Sequence, residues 1–169
     1  YWSDSLCNDI TLLYTLIKMN RVWIYQADRF LTAVEVSEII DLAQRFVASW
    51  TAHGSALAGK VTLIDNLFLI LEVDEEVAGV TGCSIDKSVH FIISLGEKFG
   101  IDFFDRMRVS YIDEEGKLQL ASRDEFQALV NSNTVNAETL VYNNLIQTSE
   151  ELSTNWKIPF SQSWHSKVF

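Results

Sequence analysis

The chain is poor in proline, cysteine and glycine. A single proline in 169 residues excludes a proline-rich linker, and seven glycines exclude a flexible low-complexity tract. The two cysteines, Cys7 and Cys83, are too few for a disulfide scaffold, so the expected compartment is the cytoplasm. Cations are scarce as well: 13 Lys and Arg stand against 23 Asp and Glu, for a formal charge of −10. Phosphate backbones and anionic lipid surfaces repel such a chain, and neither nucleic acid nor membrane is an expected partner. The only dense cationic stretch is Arg106-Met107-Arg108. The apolar run Ile10 to Ile17 is far too short to span a membrane.

What is present is apolar and aromatic. Hydrophobic residues make up 48% of the chain and aromatics 12%, enough to bury a core without covalent staples. Periodicity divides the chain into elements. Val22 to Gln26 reads as a strand. Thr32-Ala33-Val34-Glu35 is a capping box. The helix it opens carries Val36, Ile39, Ile40, Ala43, Phe46, Val47 and Trp50 on one face, and Gly54 is expected to end it. Val61 to Ile64 and Leu67 to Val73 read as strands around an Asp65-Asn66 turn. A second helix runs from about Ser84 to Gly100, and Met107 to Ile112 is a fourth strand. The order β-α-β-β-α-β is that of a split βαβ unit. The expected fold is therefore α+β: a ferredoxin-like sandwich over residues 19–112, with both helices on one face of a four-stranded antiparallel sheet.

Residues 113–169 form a smaller appended unit in this reading. Glu114-Glu115-Gly116 turns the chain between two strands, and Ser122 and Thr148 each open a capping box. Leu140-Val141-Tyr142 is a short strand, and the aromatic end from Trp156 to Phe169 docks on the body. At the other end the chain opens on Tyr1, while Met19-Asn20 directly precedes the first strand. Residues 1–18 are accordingly expected to be a spurious or disordered extension, the alternative being a short packed helix from Asp9 to Lys18.

Chemical signatures are few. Cys83, in Gly82-Cys83-Ser84-Ile85-Asp86-Lys87-Ser88, sits where a loop becomes a helix, and the helix dipole there favours a thiolate. Asp86 opposes that charge. A dipole is worth about 0.3–1 kcal/mol, whereas burial moves a pKa by several units. The expectation is an inward, slow thiol. His53 and His165 are the candidate catalytic partners of Cys83. Ser84, Asp86 and Ser88 are a candidate anion or ligand clasp at the helix start, with helix capping as the plainer role. Trp164 is either an exposed binding aromatic or the ring that pins the tail. The chain has no CxxC or HxxxH spacing, and neither a metal nor a cofactor is expected.

From Met19 onward the chain resembles a family of small uncharacterised bacterial proteins. The resemblance is carried by Trp23-Ile24-Tyr25-Gln26, Trp50-Thr51-Ala52-His53-Gly54, Gly82 to Asp86, Asn143-Asn144-Leu145 and Ser163-Trp164-His165. Some members bear the label ABC transporter ATPase, which would imply a phosphate-binding loop. The segment Gly54 to Val61 has the glycine spacing and Lys60, but Val61 stands where a magnesium-binding hydroxyl is needed. It also follows a helix and precedes a strand, the reverse of the required order. Val109 to Tyr142 looks like GYF-type modules, which bind proline-rich segments on aromatic surfaces; Tyr142-Asn143-Asn144 stands in place of their tryptophan. Two functions follow as expectations. The first is a non-enzymatic module that binds a protein or small ligand. The second is a thiol-dependent enzyme or redox sensor using Cys83.

Overall fold

The computed structural model describes residues 20–169; the extension expected at 1–18 lies outside the described residues. The protein is mixed α and β with antiparallel sheets. β1 (Arg21–Gln26) leads to α1 (Ala33–Ser49), then to a small hairpin of β2 (Thr51–Ala52) and β3 (Ser55–Ala56). β4 (Ala58–Ile64), β5 (Phe68–Asp74) and α2 (Gly82–Phe99) follow. The second half contains β6 (Val109–Ile112), β7 (Leu118–Ala121), α3 (Arg123–Asn131), β8 (Leu140–Tyr142), α4 (Ser149–Thr154) and β9 (Lys157–Pro159). Two 3-10 turns, Phe160–Gln162 and Trp164–Lys167, complete it.

β1, β5 and β4 form one antiparallel sheet, in that order. Alternation along the strands sends one set of side chains to each face. Trp23 and Leu71 are cross-strand partners, and Trp23 meets Trp50 edge-on at 5.9 Å, so this face looks toward the helices. Phe46 of α1 stacks on Phe91 of α2 at 4.4 Å, closing that layer. Phe68 lies on the opposite face, against Tyr142 and Trp156 at 4.9 and 5.0 Å. β5 is therefore covered on both sides, and Phe68, Leu69, Ile70, Leu71 and Val73 are all buried.

The fourth strand expected in this sheet is absent from it. That stretch is β6, which belongs to a second antiparallel sheet ordered β7-β6-β8-β9. The physical reason lies on the outer edge of β1, which is already occupied. The Val22 N–H donates to Gln147 O at 2.8 Å, and Arg21 bridges Thr148. At the far end, side-chain hydrogen bonds replace a ladder. Gln26 Nε2 donates to Arg108 O at 3.1 Å, while Ser110 Oγ and Asn144 Nδ2 donate to Gln26 Oε1 at 2.6 and 3.0 Å. Trp156 Nε1 extends the chain of bonds to Asn144 Oδ1 at 2.9 Å. This satisfied polar seam joins the two halves without a cost for buried polar atoms.

The helix termini follow local chemistry. Thr32, Thr81, Ser122 and Thr148 each open a helix with a complete capping box. α1 ends at Ser49, capped by Trp50, rather than at Gly54. Gly54, at φ 78, instead forms the β2–β3 turn with His53, at φ 50, because a two-residue hairpin requires positive φ at both positions. A second, smaller core lies within the later half: Val109, Ala121, Phe126, Val135 and Val141, flanked by Tyr111, Phe160 and Phe169.

Candidate functional site

The residues singled out around Cys83 are divided between solvent and core. Cys83 is exposed in the first turn of α2. The inward thiol expected there is thus corrected: the capping box at Thr81 turns Ser84, not Cys83, toward the sheet. Ser84 is fully buried, its N–H donating to Thr81 Oγ1 at 3.2 Å while its Oγ accepts from Thr81 N at 2.8 Å. Its carbonyl accepts the Trp50 indole N–H at 2.8 Å. Ser88 is also buried, with Oγ donating to Ile85 O at 2.6 Å. It faces Tyr25, whose phenol is raised by burial and lowered by hydrogen bonding to Ser88. Asp86 is exposed. A clasp would need all three on one surface, and helical spacing with this burial divides them.

The histidines are likewise dispersed. His53 is exposed at the tip of the β2–β3 hairpin, which directly follows the end of α1. His165 is only 2% exposed and lies in the later half, against Phe126 of α3 at 6.2 Å. Its ring stacks on Trp164 at 3.8 Å, and Nδ1 shares a 2.6 Å hydrogen bond with Ser163 Oγ. Burial lowers its pKa from the ordinary 6.5 to about 4. The Ser163–His165 pair has the elements of a nucleophile and base, but Ser163 is also 2% exposed, out of a substrate's reach. Trp164 is half-buried, with its indole N–H enclosed and unpaired among the described residues. Among the described residues no group of three His, Cys, Asp or Glu is placed to hold a metal ion. No helix among them is long and apolar enough to cross a membrane.

A concave surface lies elsewhere among the described residues. A cavity of about 480 Å³ opens between the β6–β7 turn and the loop leading into β8. β6 and β8 share one bridging pair, Tyr111 with Val141, and the groove lies at the end of β6 and the start of β8. Tyr111, Ile112 and Leu140 supply its apolar and aromatic lining, and Asp113, Glu114, Glu115 and Glu138 its acidic rim. Burial first, then the carboxylates of Asp113 and Glu125, raise the Tyr111 phenol above its ordinary value. Asp113 is structural: it accepts the N–H groups of Glu115 and Lys117, both at 2.9 Å, and the Gln119 amide at 2.8 Å. Those bonds, led by that from Lys117, lower its pKa. Glu115 is paired with Lys117 at 2.8 Å. Glu114 and Glu138, both exposed, flank the opening from its two sides.

Sequence reasoning read Glu114-Glu115-Gly116 as a turn alone. The missed signal is a second acidic turn at Ala137-Glu138 before the neighbouring strand, because two acidic turns at the same end of adjacent strands converge. No family model matches the chain, and neither the curated proteins nor the solved structures give a match.

Proposed function

We propose that the protein is a non-enzymatic binding module that takes up a basic segment of a partner protein in the groove between the β6–β7 turn and the loop before β8. The observation that carries this reading is the groove itself, which combines a Tyr111 floor, apolar sides and carboxylates on both rims. Apolar lining rewards burial of aliphatic or proline side chains, and the rim favours Lys or Arg next to them. The order β6, β7, α3, β8 supports the likeness to GYF-type modules, and a proline-containing basic peptide fits both lines of argument. The remainder of the chain is then a scaffold. The sheet order β1-β5-β4 supports reading β1, α1, β4, β5 and α2 as a ferredoxin-like sandwich without its last strand. A cytoplasmic setting suits the exposed thiol of Cys83.

The probe is a fluorescein-labelled peptide of alternating arginine and proline, read by anisotropy at pH 7.5 and low salt, with a glutamate–proline peptide as control. The arginine peptide binds, the control does not, and binding weakens as salt rises. Glu138→Lys and Glu114→Lys each reduce affinity by roughly tenfold, the size of a lost charge pair with added repulsion. Equal binding of the two peptides, or affinity unchanged in both variants, overturns the reading.

The exposure of Cys83 favours a second reading, a thiol that forms reversible mixed disulfides. In a Cys7→Ser background, native protein treated with glutathione disulfide would gain one glutathionyl group, removed by dithiothreitol and absent from Cys83→Ser. No adduct on the native protein rejects it.

A further inference from the structure

We infer that segment 160–169 is an acid-released clamp on the wall of the groove, with His165 as its trigger; this rests on the groove being the docking site. The clamp is visible in two backbone hydrogen bonds. Phe160 N–H donates to Thr139 O at 2.7 Å, and Ser161 N–H donates to Ala137 O at 3.1 Å. These hold the loop whose Asn136, Glu138 and Thr139 line one side of the groove. The segment is in turn anchored on one ring. Phe160, His165 and Phe169 surround Phe126 at 6.1, 6.2 and 5.0 Å, and Phe126 meets Tyr111, the groove floor, at 5.7 Å.

The anchor holds only a neutral imidazole. His165 is 2% exposed, and its hydrogen-bonding partner is the Ser163 hydroxyl. The ionisable groups carried by the elements of this core and by the segment's own turns are Tyr111 on β6, Arg123, Asp124 and Glu125 on α3, Tyr142 on β8, Lys157 on β9 and Lys167 beside His165. Among the described residues none of these pairs with the imidazole; the Glu125 carboxylate accepts the N–H of Ser122 at 2.8 Å instead. A proton on His165 would therefore be a buried charge without a counter-charge, which the fold removes by releasing the segment. The unpaired indole N–H of Trp164 adds a further cost to the docked state.

The direction follows from linkage. Docked, His165 titrates near 4; released, it returns to the ordinary value near 6.5. The released form binds the proton more tightly, and acid favours release. Between pH 7.5 and 4.5 the released fraction rises up to about 70-fold.

The test is amide hydrogen exchange by NMR on the full chain, corrected for the intrinsic pH dependence of exchange. Protection at Phe160 and Ser161 falls by tens of fold from pH 7.5 to 4.5, while Ile70 and Leu71 in β5 keep theirs. Constant protection at Phe160 and Ser161, or a parallel loss in β5, overturns the clamp without any variant. His165→Gln, which cannot titrate, flattens the profile; a fall as large as that of the parent overturns the role of His165. The arginine–proline peptide is measured separately at pH 7.5. Failure to bind there removes the docking reading, whereas the exchange profile alone decides whether the clamp exists.

Discussion

Trp50 joins α1, the sheet and α2 through one side chain, and its truncation gives a quantitative test of how the core is packed. The residue is 1% exposed. It caps α1, meets Trp23 and Phe46 at 5.9 and 5.3 Å, and donates its indole N–H to Ser84 O at 2.8 Å. It thus ties the end of one helix to the start of the next across the face of the sheet. Trp50→Ala removes the ring and the hydrogen bond together and leaves a cavity in a core with little freedom to collapse. The expected cost is roughly 3–5 kcal/mol, in the range for large-to-small core changes. Trp50→Phe separates the terms. It retains an aromatic ring, and Ser84 O remains in the helical ladder of α2 and is not orphaned. Loss of the hydrogen bond then costs about 1 kcal/mol, and partial loss of volume about as much again. Urea denaturation followed by far-UV circular dichroism measures both variants. The alanine variant melts about 6–20 °C below the parent, since a domain of this size loses about 2–4 °C per kcal/mol. A urea midpoint for Trp50→Ala within error of the parent would refute the reasoning, because a side chain this enclosed cannot be removed without loss.

Three further outcomes follow from the same structure. Gln26→Leu leaves Ser110 Oγ, Asn144 Nδ2 and Arg108 O without their partner at the seam, and destabilises by roughly 2–4 kcal/mol; an unchanged urea midpoint would show that the halves are held by apolar contacts alone. Gly96→Ala improves helix propensity by about 1 kcal/mol, yet its Cβ would lie 2.5 Å from the backbone oxygen of Ile101, which cannot yield as a side chain does; a net fall in Tm is expected, and a rise rejects the close contact. The Arg29 guanidinium, together with the Thr32 backbone, holds Glu35 at about 2, below its ordinary 4.5. A carboxyl lowered by folding contributes stability above 4.5 and loses it as pH falls toward 2. Urea midpoints should therefore drop more steeply across that window in the parent than in Glu35→Gln, and parallel curves would remove the ion pair from the account.

Local chemistry was legible in the chain wherever one residue type answers one backbone need. Thr32, Ser122 and Thr148, each followed three residues later by Glu, marked helix starts that the structure contains. Asp65 and Asn66 marked a turn, and both adopt positive φ. The start at Thr81 was harder to read because its partner three positions on is Ser84, a less distinctive residue than Glu, and Gly82-Cys83 drew the boundary too late. The groove was hidden for a different reason. Its acidic rim comes from two turns more than twenty residues apart, and their convergence depends on the antiparallel pairing of β6 with β8.

The sequence by itself determined the order of the elements, most of their ends, the acidic character and the aromatic wealth of the core, because capping, turn conformation and hydrophobic periodicity act over a few residues. Tertiary structure alone decided which sheet β6 joins, that Cys83 faces water while Ser84 and Ser88 face inward, and that His165 is sealed against Phe126. Those outcomes turn on competition between distant groups for the same edge or the same cavity. The outer edge of β1 was taken by residues 147 and 148 and by the Gln26 seam, and no window along the chain records that contest.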